Sequence, residues 1–445
     1  MWLCVLIPLL VLSKIAVSKS VISSLPGFPD DVQLFYYFTE SERNPYDDPL
    51  LLWLTGGPGC SAFSGLVYEI GPLSFDYANS GGDLPSFVLN PYSWTKVANI
   101  IFLDAPVGTG FSYSRSWQGY NTSDILSTAH TYSFLRKWLV DHPKFLKNPL
   151  YVGGDSYSGI VVPIIVQEIL KGNEVGYEPR MNLKGYLLGN PVTNSHDDIN
   201  SRIPYAHRVS LISDEIYEST KRNCYGEYIN IDPKNALCAN DLQVVSECIE
   251  NICRPHILEP KCPFFSPKPN ALKWDQGLHE ENLIELLLQS QLPSKRCRSY
   301  NYISSYIWAS DRTVQNALHI REGTKNVWVR CNRSLSYTKD VPSSVNYHKN
   351  LTKHDLRALI YSGDHDMLIP HVGTEAWIKS LNLPIVSDWQ PWFVDGQVAG
   401  FKMIYSNNKY SLTYATVKGA GHTAPEYKPE ECLAMVDRWF AGFPL

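Results

Sequence analysis

Three residues of the sequence have side chains that together could perform nucleophilic catalysis. Ser156, Asp364 and His422 each lie a few residues beyond a short apolar run. A serine hydroxyl becomes a good nucleophile when a histidine accepts its proton, and a carboxylate holds that histidine in the required tautomer. The residue types and their order along the chain therefore predict a Ser-Asp-His triad that acts through an acyl-enzyme.

A glycine-rich loop follows an earlier apolar run and could supply the remaining part of such a site. Acyl transfer needs two N–H groups to stabilise the oxyanion, one from the residue after the nucleophile and one from an early loop. Tyr157 and Gly57 satisfy these two requirements. The loop lacks the Gly-Lys-Ser/Thr ending of a phosphate-binding loop.

Each of these features alone has a simpler interpretation. A Gly-x-Ser sequence is often only a turn, a single histidine is more often structural than catalytic, and Asp364-His365-Asp366 resembles an ordinary Asp-rich turn. The sequence around Ser156 also has Ser158 where the strict G-x-S-x-G pattern has glycine. The interpretation as a catalytic site depends on all four segments occurring together, each after an apolar run.

The apolar runs are too short for helices and do not alternate with polar residues, which is typical of strands buried on both faces. A helical pattern at Ile125–Val140 lies between two of them and ends at His142-Pro143. Strands that alternate with helices predict an α/β protein with a mostly parallel sheet covered on both faces, and the Ser, Asp, His order is that of the α/β-hydrolase fold. The runs are Leu50–Leu54, Asn99–Leu103, Leu150–Val152, Gly185–Leu188, Leu356–Tyr361 and Leu412–Val417.

The strand pattern is interrupted between about residues 200 and 310. This stretch is polar, contains a helix-like segment at Glu281–Gln291 and carries six of the ten cysteines. We interpret residues 200–310 as a disulfide-linked lid insertion, and residues 19–199 and 311–445 as the α/β-hydrolase core. No internal repeat is evident.

The N-terminus and the sequons indicate the secretory pathway. Residues 1–18 resemble a signal peptide, with an apolar run and small residues before a cleavage site after Ser18. The alternative, a membrane anchor, conflicts with the short length of the run. Sequons at Asn121, Asn332 and Asn350 predict N-glycosylation, and cysteines without zinc-type spacing favour disulfides. We expect a protein of the secretory pathway, secreted or in the vacuolar lumen.

Composition excludes some function classes. Of the 445 residues, 44% are hydrophobic and 19% are charged, as in folded globular proteins. The net charge of −5 and the absence of long runs of one sign argue against a nucleic-acid surface. We expect no metal, no cofactor, no nucleic-acid partner and no stable membrane insertion after signal cleavage.

Several longer segments resemble the serine carboxypeptidase family, and most closely its plant serine carboxypeptidase-like branch. These segments are WLTGGPGCS (53–61), DAPVGTGFSYS (104–114), GGDSYSGI (153–160), YSGDHDMLIP (361–370) and GAGHTAPEYKP (419–429). The resemblance extends from about residue 22 to the C-terminus. It implies Ser156, Asp364 and His422 as the triad and Gly57 and Tyr157 as the oxyanion donors.

The resemblance also implies a disulfide pattern. The implied pairs are Cys60–Cys331, Cys224–Cys238 and Cys262–Cys297, which leaves Cys248, Cys253 and Cys432 without an assigned partner.

Departures from the family pattern bear on which reaction the protein catalyses. Peptidase members bind the carboxylate of the peptide through an Asn in W-x-N-G-G-P-G and a Glu before the nucleophile, and here these positions hold Thr55 and Asp155. Trp53 and Glu69 are retained. The resemblance therefore implies a substrate site at these four residues that is similar to the site of the acyltransferase members, which move a hydroxycinnamoyl-type group from a 1-O-glucose ester to an alcohol. A serine carboxypeptidase and a catalytically silent binding protein are the alternatives.

A second departure lies near the N-terminus. Family members usually have a longer segment, which carries the first strand of a hairpin, between L-P-G-F-P and the D-V-x-L-F-Y-Y-F strand. Here Leu25–Pro29 runs almost directly into Asp31–Phe38. We therefore expect an apolar edge strand without a partner, which would favour aggregation.

Overall fold

The computed structural model describes residues 15–17, 32–77, 84–262, 297–325 and 327–445. Most of the predicted signal peptide, the Leu25–Pro29 segment and the helix-like Glu281–Gln291 segment lie outside these ranges.

A ten-stranded sheet forms the centre of the fold. The strands are numbered in chain order, and their spatial order is β1, β3, β7, β4, β10, β11, β13, β16, β15, β14. The six strands from β7 to β16 in this order are parallel to one another, and the outer strands pair antiparallel. Their bounds are β1 Ile15–Val17, β3 Tyr36–Thr39, β4 Leu50–Leu54, β7 Asn99–Leu103, β10 Leu150–Asp155, β11 Leu183–Gly189, β13 Arg357–Gly363, β14 Ile385–Val394, β15 Gln397–Ser406 and β16 Ser411–Val417.

Three two-stranded sheets lie outside the central sheet. They pair β2 with β8, β5 with β6 and β9 with β12. Their bounds are β2 Val32–Gln33, β5 Leu73–Phe75, β6 Phe87–Leu89, β8 Tyr113–Ser114, β9 Thr122–Ser123 and β12 Tyr337–Thr338.

Helices connect the strands and cover the sheet. The first begins where Ser123 Oγ accepts a hydrogen bond from Leu126 N, and it ends before Pro143, as the sequence pattern predicts. The α-helices are α1 Asp124–Asp141, α2 Ser158–Glu174, α3 Ser195–Asn200, α4 Arg202–Arg208, α5 Asp214–Cys224, α6 Ala236–Ile249, α7 Arg298–Asn301, α8 Ile303–Ser310, α9 Arg312–Ala317, α10 Val345–Leu351, α11 His371–Ser380, α12 Ala424–Tyr427 and α13 Pro429–Ala441. A π-helical turn spans Gly65–Glu69, and 3₁₀ turns span Trp94–Lys96, Gln118–Tyr120 and Pro143–Phe145.

Both faces of the sheet are buried, which explains why the strands appear as uninterrupted apolar runs. In β4, Leu51 and Trp53 belong to the hydrophobic core on one face, whereas Leu50 and Leu52 belong to the core on the other. All five residues of this strand are buried. The prediction of a mostly parallel sheet with helices on both faces is confirmed.

The register of the parallel strands brings their carboxyl ends to one edge of the sheet. Gly154 of β10 pairs with Leu54 of β4, and Asp155 pairs with Gly189 of β11. On the far side, Gly363 of β13 pairs with Val417 of β16. The loops that follow these strands therefore converge, and they carry the predicted catalytic residues.

The prediction that the Asp31–Phe38 strand has no partner is wrong for this structure. The segment forms β2 and β3, and β3 lies between β7 and β1. However, β1 (Ile15–Val17) falls within the predicted signal peptide, so cleavage after Ser18 would remove this strand and make β3 the edge of the sheet.

The described part of the predicted lid insertion is helical. Residues 200–262 and 297–310 contain the whole of helices α4 to α8 and no strand. The domain boundaries at residues 200 and 310 stay a prediction.

Candidate active site

Ser156 lies on a sharp turn between β10 and α2. Its φ is +53°, a left-handed conformation that is strained for a residue with a side chain. Close neighbours explain the small residues around it: a Cβ on Gly56 would lie 2.6 Å from Ser156 Cβ, and one on Gly159 would lie 2.4 Å from Val192 O. This strand-turn-helix arrangement is the one in which a nucleophilic serine is held at the end of a sheet.

Ser158 is accommodated at the position where the strict motif has glycine. Its hydroxyl donates to Leu54 O over 2.8 Å, which ties the first turn of α2 to the end of β4. The serine therefore adds a hydrogen bond and does not obstruct the turn.

His422 lies between β16 and α12 and contacts both other members of a triad. Its Nε2 is 2.8 Å from Ser156 Oγ, and its Nδ1 is 2.7 Å from Asp366 Oδ2. These distances suit proton transfer from the hydroxyl to the imidazole and a fixed tautomer of the ring.

The triad carboxylate is Asp366, so the prediction of Asp364 for this position is wrong. Both aspartates follow β13, but the side chain of Asp364 turns away and accepts hydrogen bonds from Gly419 N at 2.7 Å and His365 Nδ1 at 2.6 Å. Asp364 is 31% exposed, whereas the Asp366 side chain is fully buried. Asp364 and His365, the two residues after β13, complete the turn that directs the Asp366 side chain towards the imidazole of His422.

Burial and charge act in opposite directions on the catalytic histidine. Burial lowers the pKa of His422, but the Asp366 carboxylate and its hydrogen bond outweigh this effect, and the pKa is raised above its usual value. Asp366 thus favours the protonated form of the His422 imidazole.

Gly57 lies in the loop after β4 and Tyr157 directly follows Ser156, and their role as oxyanion donors stays a prediction. Gly57 has φ +126°, which favours glycine, and Tyr157 precedes α2. Among the described residues, neither N–H donates to a backbone carbonyl. Only the backbone of Tyr157 is available for this role, because its side-chain hydroxyl donates to Asp124 Oδ1 over 2.8 Å.

The predicted substrate residues lie around the same loops. Trp53 Nε1 donates to Glu69 Oε2 at 3.2 Å, and Asp155 Oδ1 accepts from Gly56 N at 2.9 Å. The hydroxyl of Thr55 is buried and has no hydrogen-bond partner among the described residues. The structure therefore brings Trp53, Thr55, Glu69 and Asp155 close to β4 and to the loop that follows it, residues 55–59, which we call the oxyanion loop.

Burial raises the pKa of two of these carboxyl groups. Burial, followed by the charges of Asp155 and Glu426, raises the pKa of Glu69 well above its usual value. Burial likewise raises the pKa of Asp155, against the opposing charge of His422.

Several residues around the site were not identified from the sequence. Asn190 donates to Asp366 Oδ2, Asp104 accepts hydrogen bonds from Ser61 and Ala62 beyond the oxyanion loop, and Pro255 O accepts from His422 N over 2.7 Å. Pro255 belongs to the predicted lid insertion, so this segment borders the catalytic histidine directly. These four hydrogen bonds all join distant parts of the chain, and no local sequence pattern predicts them.

The structure contains the three disulfides that the resemblance implies, Cys60–Cys331, Cys224–Cys238 and Cys262–Cys297. The first lies next to the oxyanion loop, since a Cβ on Gly57 would be 3.3 Å from Cys60 Sγ. Cys248, Cys253 and Cys432 have free thiols.

The described ranges lack two further kinds of feature. They contain no group of three or more His, Cys, Asp or Glu residues that could hold a metal ion. No helix within them has both the length and the apolar character needed to cross a bilayer.

Comparisons with known proteins agree with this geometry. A profile of the serine carboxypeptidase family matches residues 27–442. The chain is 46% identical to serine carboxypeptidase-like 7 of Arabidopsis thaliana over 454 aligned positions, covering 98% of this chain and 97% of the relative. Serine carboxypeptidase-like 1 of the same plant is 47% identical, with coverage of 100% and 97%.

Among solved structures, the fold is similar to that of Kex1(delta)p, a prohormone-processing carboxypeptidase from Saccharomyces cerevisiae. The TM-score is 0.70 and the identity 19%, with coverage of 93% of this chain and 87% of the other. This likeness shows the α/β-hydrolase fold alone. Together with the family profile and the Arabidopsis relatives, it leads to one conclusion: the chain belongs to the serine carboxypeptidase family.

Proposed function

We propose that the protein is a serine carboxypeptidase-like acyltransferase, which moves a hydroxycinnamoyl-type acyl group from a 1-O-glucose ester to an alcohol. The catalytic part of this proposal is supported by the two hydrogen bonds that join Ser156 Oγ to His422 and His422 to Asp366. The alternative is a serine-type carboxypeptidase that releases C-terminal residues from peptides.

The proposed reaction has two steps. Ser156 Oγ attacks the ester carbonyl while His422 Nε2 accepts its proton, and the oxyanion is bound by Gly57 N–H and Tyr157 N–H. The ester C–O bond breaks, and glucose leaves with the proton from His422. The acceptor hydroxyl then attacks the acyl-enzyme, gives its proton to His422, and the ester product leaves as Ser156 regains a proton.

The choice of transfer over peptide hydrolysis is supported by the substrate residues. A peptide carboxylate would require strong donors at positions 55 and 155. Thr55 lacks an amide, and one oxygen of Asp155 is already hydrogen-bonded to Gly56 N. A site that cannot satisfy a buried polar group of a ligand loses much of its affinity for that ligand.

An alcohol competes with water only when it is held in position. Effective molarities for well-positioned groups reach ~10⁵ M or more. The lid insertion is the proposed source of this positioning, which is supported by the direct contact between Pro255 and the backbone of His422.

We also propose that the protein acts in the secretory pathway, outside the cell or in the vacuole. Three disulfides support an oxidising compartment. N-terminal sequencing of the protein from its native tissue tests this, with a start near Lys19 expected. A cytosolic protein without glycans would contradict it.

The direct test of function uses the purified protein with a panel of 1-O-glucose esters and alcohols, and with blocked dipeptides in parallel. We expect transfer products from the esters and little release of amino acids. Ser156→Ala should abolish turnover and fluorophosphonate labelling while the protein stays folded. Efficient cleavage of the dipeptides together with no reaction of any glucose ester would establish the carboxypeptidase alternative.

The double substitution Thr55→Asn with Asp155→Glu tests the role of the substrate residues. The ratio of peptide hydrolysis to acyl transfer should rise, because a restored polar contact contributes about 1–3 kcal/mol. Total rate should fall somewhat, since the longer Glu side chain adjoins the strained turn at Ser156. Thr55→Val is the matched control, because it removes the hydroxyl without adding an amide and should not raise the ratio.

A further inference from the structure

Asn190 connects the ends of β11 and β13 directly beneath the triad. It is fully buried, its N–H donates to Tyr361 O at 2.7 Å, and its side-chain Oδ1 accepts from Gly363 N at 3.1 Å. Its Nδ2 donates to Asp366 Oδ2 over 2.8 Å. One side chain thus joins the frame of the sheet to the triad carboxylate.

The orientation of this amide follows from its partners. Gly363 N can only donate, so the amide oxygen must face it, and the NH₂ group must face the carboxylate. Asn190 has φ +43°, and Asn, Asp and Gly are the residues that adopt this conformation most readily. The backbone therefore restricts the position to few residue types, and among them only Asn supplies an uncharged donor.

Asp366 Oδ2 accepts three hydrogen bonds. His422 Nδ1 contacts it at 2.7 Å and Asn190 Nδ2 at 2.8 Å, while Ile369 N lies at 3.2 Å. The titratable groups that face the Asp366–His422 pair through space are Arg202, Asp155, Tyr205 and His371. Among these neighbours, Asn190 is the side chain that shares the same carboxylate oxygen with the catalytic imidazole.

We propose that Asn190 is a positioning residue of the triad, whose amide holds the Asp366 side chain in line with His422. This inference rests on the proposed catalytic function. If Asn190 were only a structural link between β11 and β13, its bonds to Tyr361 and Gly363 would be sufficient, and the group that faces Asp366 would not matter.

Asn190→Asp separates these two roles. Asp has the same shape, tolerates the positive φ and still accepts from Gly363 N. It replaces the donor with a carboxyl that can donate to Asp366 only while it carries a proton. Two carboxyls at hydrogen-bond distance share one proton and lose it only at higher pH, because two adjacent negative charges repel.

The expected result is a pH-dependent defect. The rate of fluorophosphonate labelling of Asn190→Asp, divided by that of the wild type, should be near one at acidic pH. It should fall about tenfold as the shared proton is lost, as for a lost hydrogen bond to a charged group. Asn190→Gly keeps the positive φ and removes both side-chain bonds, so its ratio should be low by about tenfold or more at every pH.

Asn408→Asp is the matched control. Asn408 also has a positive φ, +75°, but it is exposed in the turn between β15 and β16. Its labelling ratio should stay constant across the pH range. Thermal unfolding of each variant, measured at every pH, restricts the comparison to conditions in which the protein is folded.

The outcomes are distinguishable. If Asn190→Asp follows the wild type at every pH, or if both Asn190 variants change only the unfolding temperature, the positioning role is refuted. If the wild-type protein itself does not react with the fluorophosphonate, the proposed catalytic function fails, independently of Asn190.

Discussion

The assignment of Asp366 as the triad carboxylate leads to a paired test with Asp364. The two residues are separated by one position and follow the same strand, but their side chains have different partners. Asp366 is buried and bound to His422, whereas Asp364 is partly exposed and bound to Gly419 N and His365. Asn substitutions at both sites change the charge equally and the size very little.

The expected losses differ by orders of magnitude. A neutral amide at position 366 cannot stabilise the imidazolium, and loss of the triad carboxylate typically lowers kcat about 10⁴-fold, or about 5 kcal/mol in the barrier. One N–H of the new amide would also face the donors around it, since Leu368 N lies at 2.7 Å from Oδ1 and His422 at 2.7 Å from Oδ2. At position 364, only hydrogen bonds at the edge of the site are weakened, and we expect a loss below about tenfold.

The assay is the second-order rate of fluorophosphonate labelling, with turnover of an accepted ester as a second measurement. Thermal unfolding shows whether each variant is folded. Equal losses in Asp364→Asn and Asp366→Asn, or a larger loss in Asp364→Asn, would refute the assignment made from the structure.

Three further predictions follow from other parts of the molecule. Because Asp366 outweighs burial and raises the pKa of His422, labelling should decline with falling pH around a midpoint above 6.5; a midpoint well below that value would contradict this reasoning. The structure narrows the three glycosylation sites predicted from the sequence: glycosidase mapping should find glycans at the exposed Asn121 and Asn350 but not at the half-buried Asn332, whose Nδ2 donates to Gly108 O at 3.0 Å; a glycan at Asn332 in folded protein would show that this bond is dispensable. Burial raises the pKa of Asp104 to about 6, so the native state binds its proton more tightly than the unfolded chain, and stability should fall by up to about 3 kcal/mol as pH rises from about 4 to about 6. Asp104→Asn should remove this part of the pH dependence in denaturant unfolding, and an unchanged dependence would refute it.

The sequence by itself was sufficient for much of the fold. Runs such as Leu50–Leu54 and Asn99–Leu103 are apolar because strands in a parallel sheet are covered on both faces, and the structure has strands with these same bounds. The loops after the strands could be located for the same reason, since strand ends define where a site forms. Ser156 and His422 were found because their neighbours are small residues that a tight turn requires.

Only the tertiary structure decided which aspartate serves the triad. Asp364 and Asp366 have the same chemistry and are separated by a single residue, and the direction of each side chain depends on the path of the turn and on partners distant in sequence. The same holds for Asn190, whose role arises from a contact with a residue 176 positions away, and for β3, whose outer partner lies in the predicted signal peptide. Local patterns encode burial and turns because neighbours in the chain determine them, whereas hydrogen-bond partners across the sheet exist only once the strands have assembled.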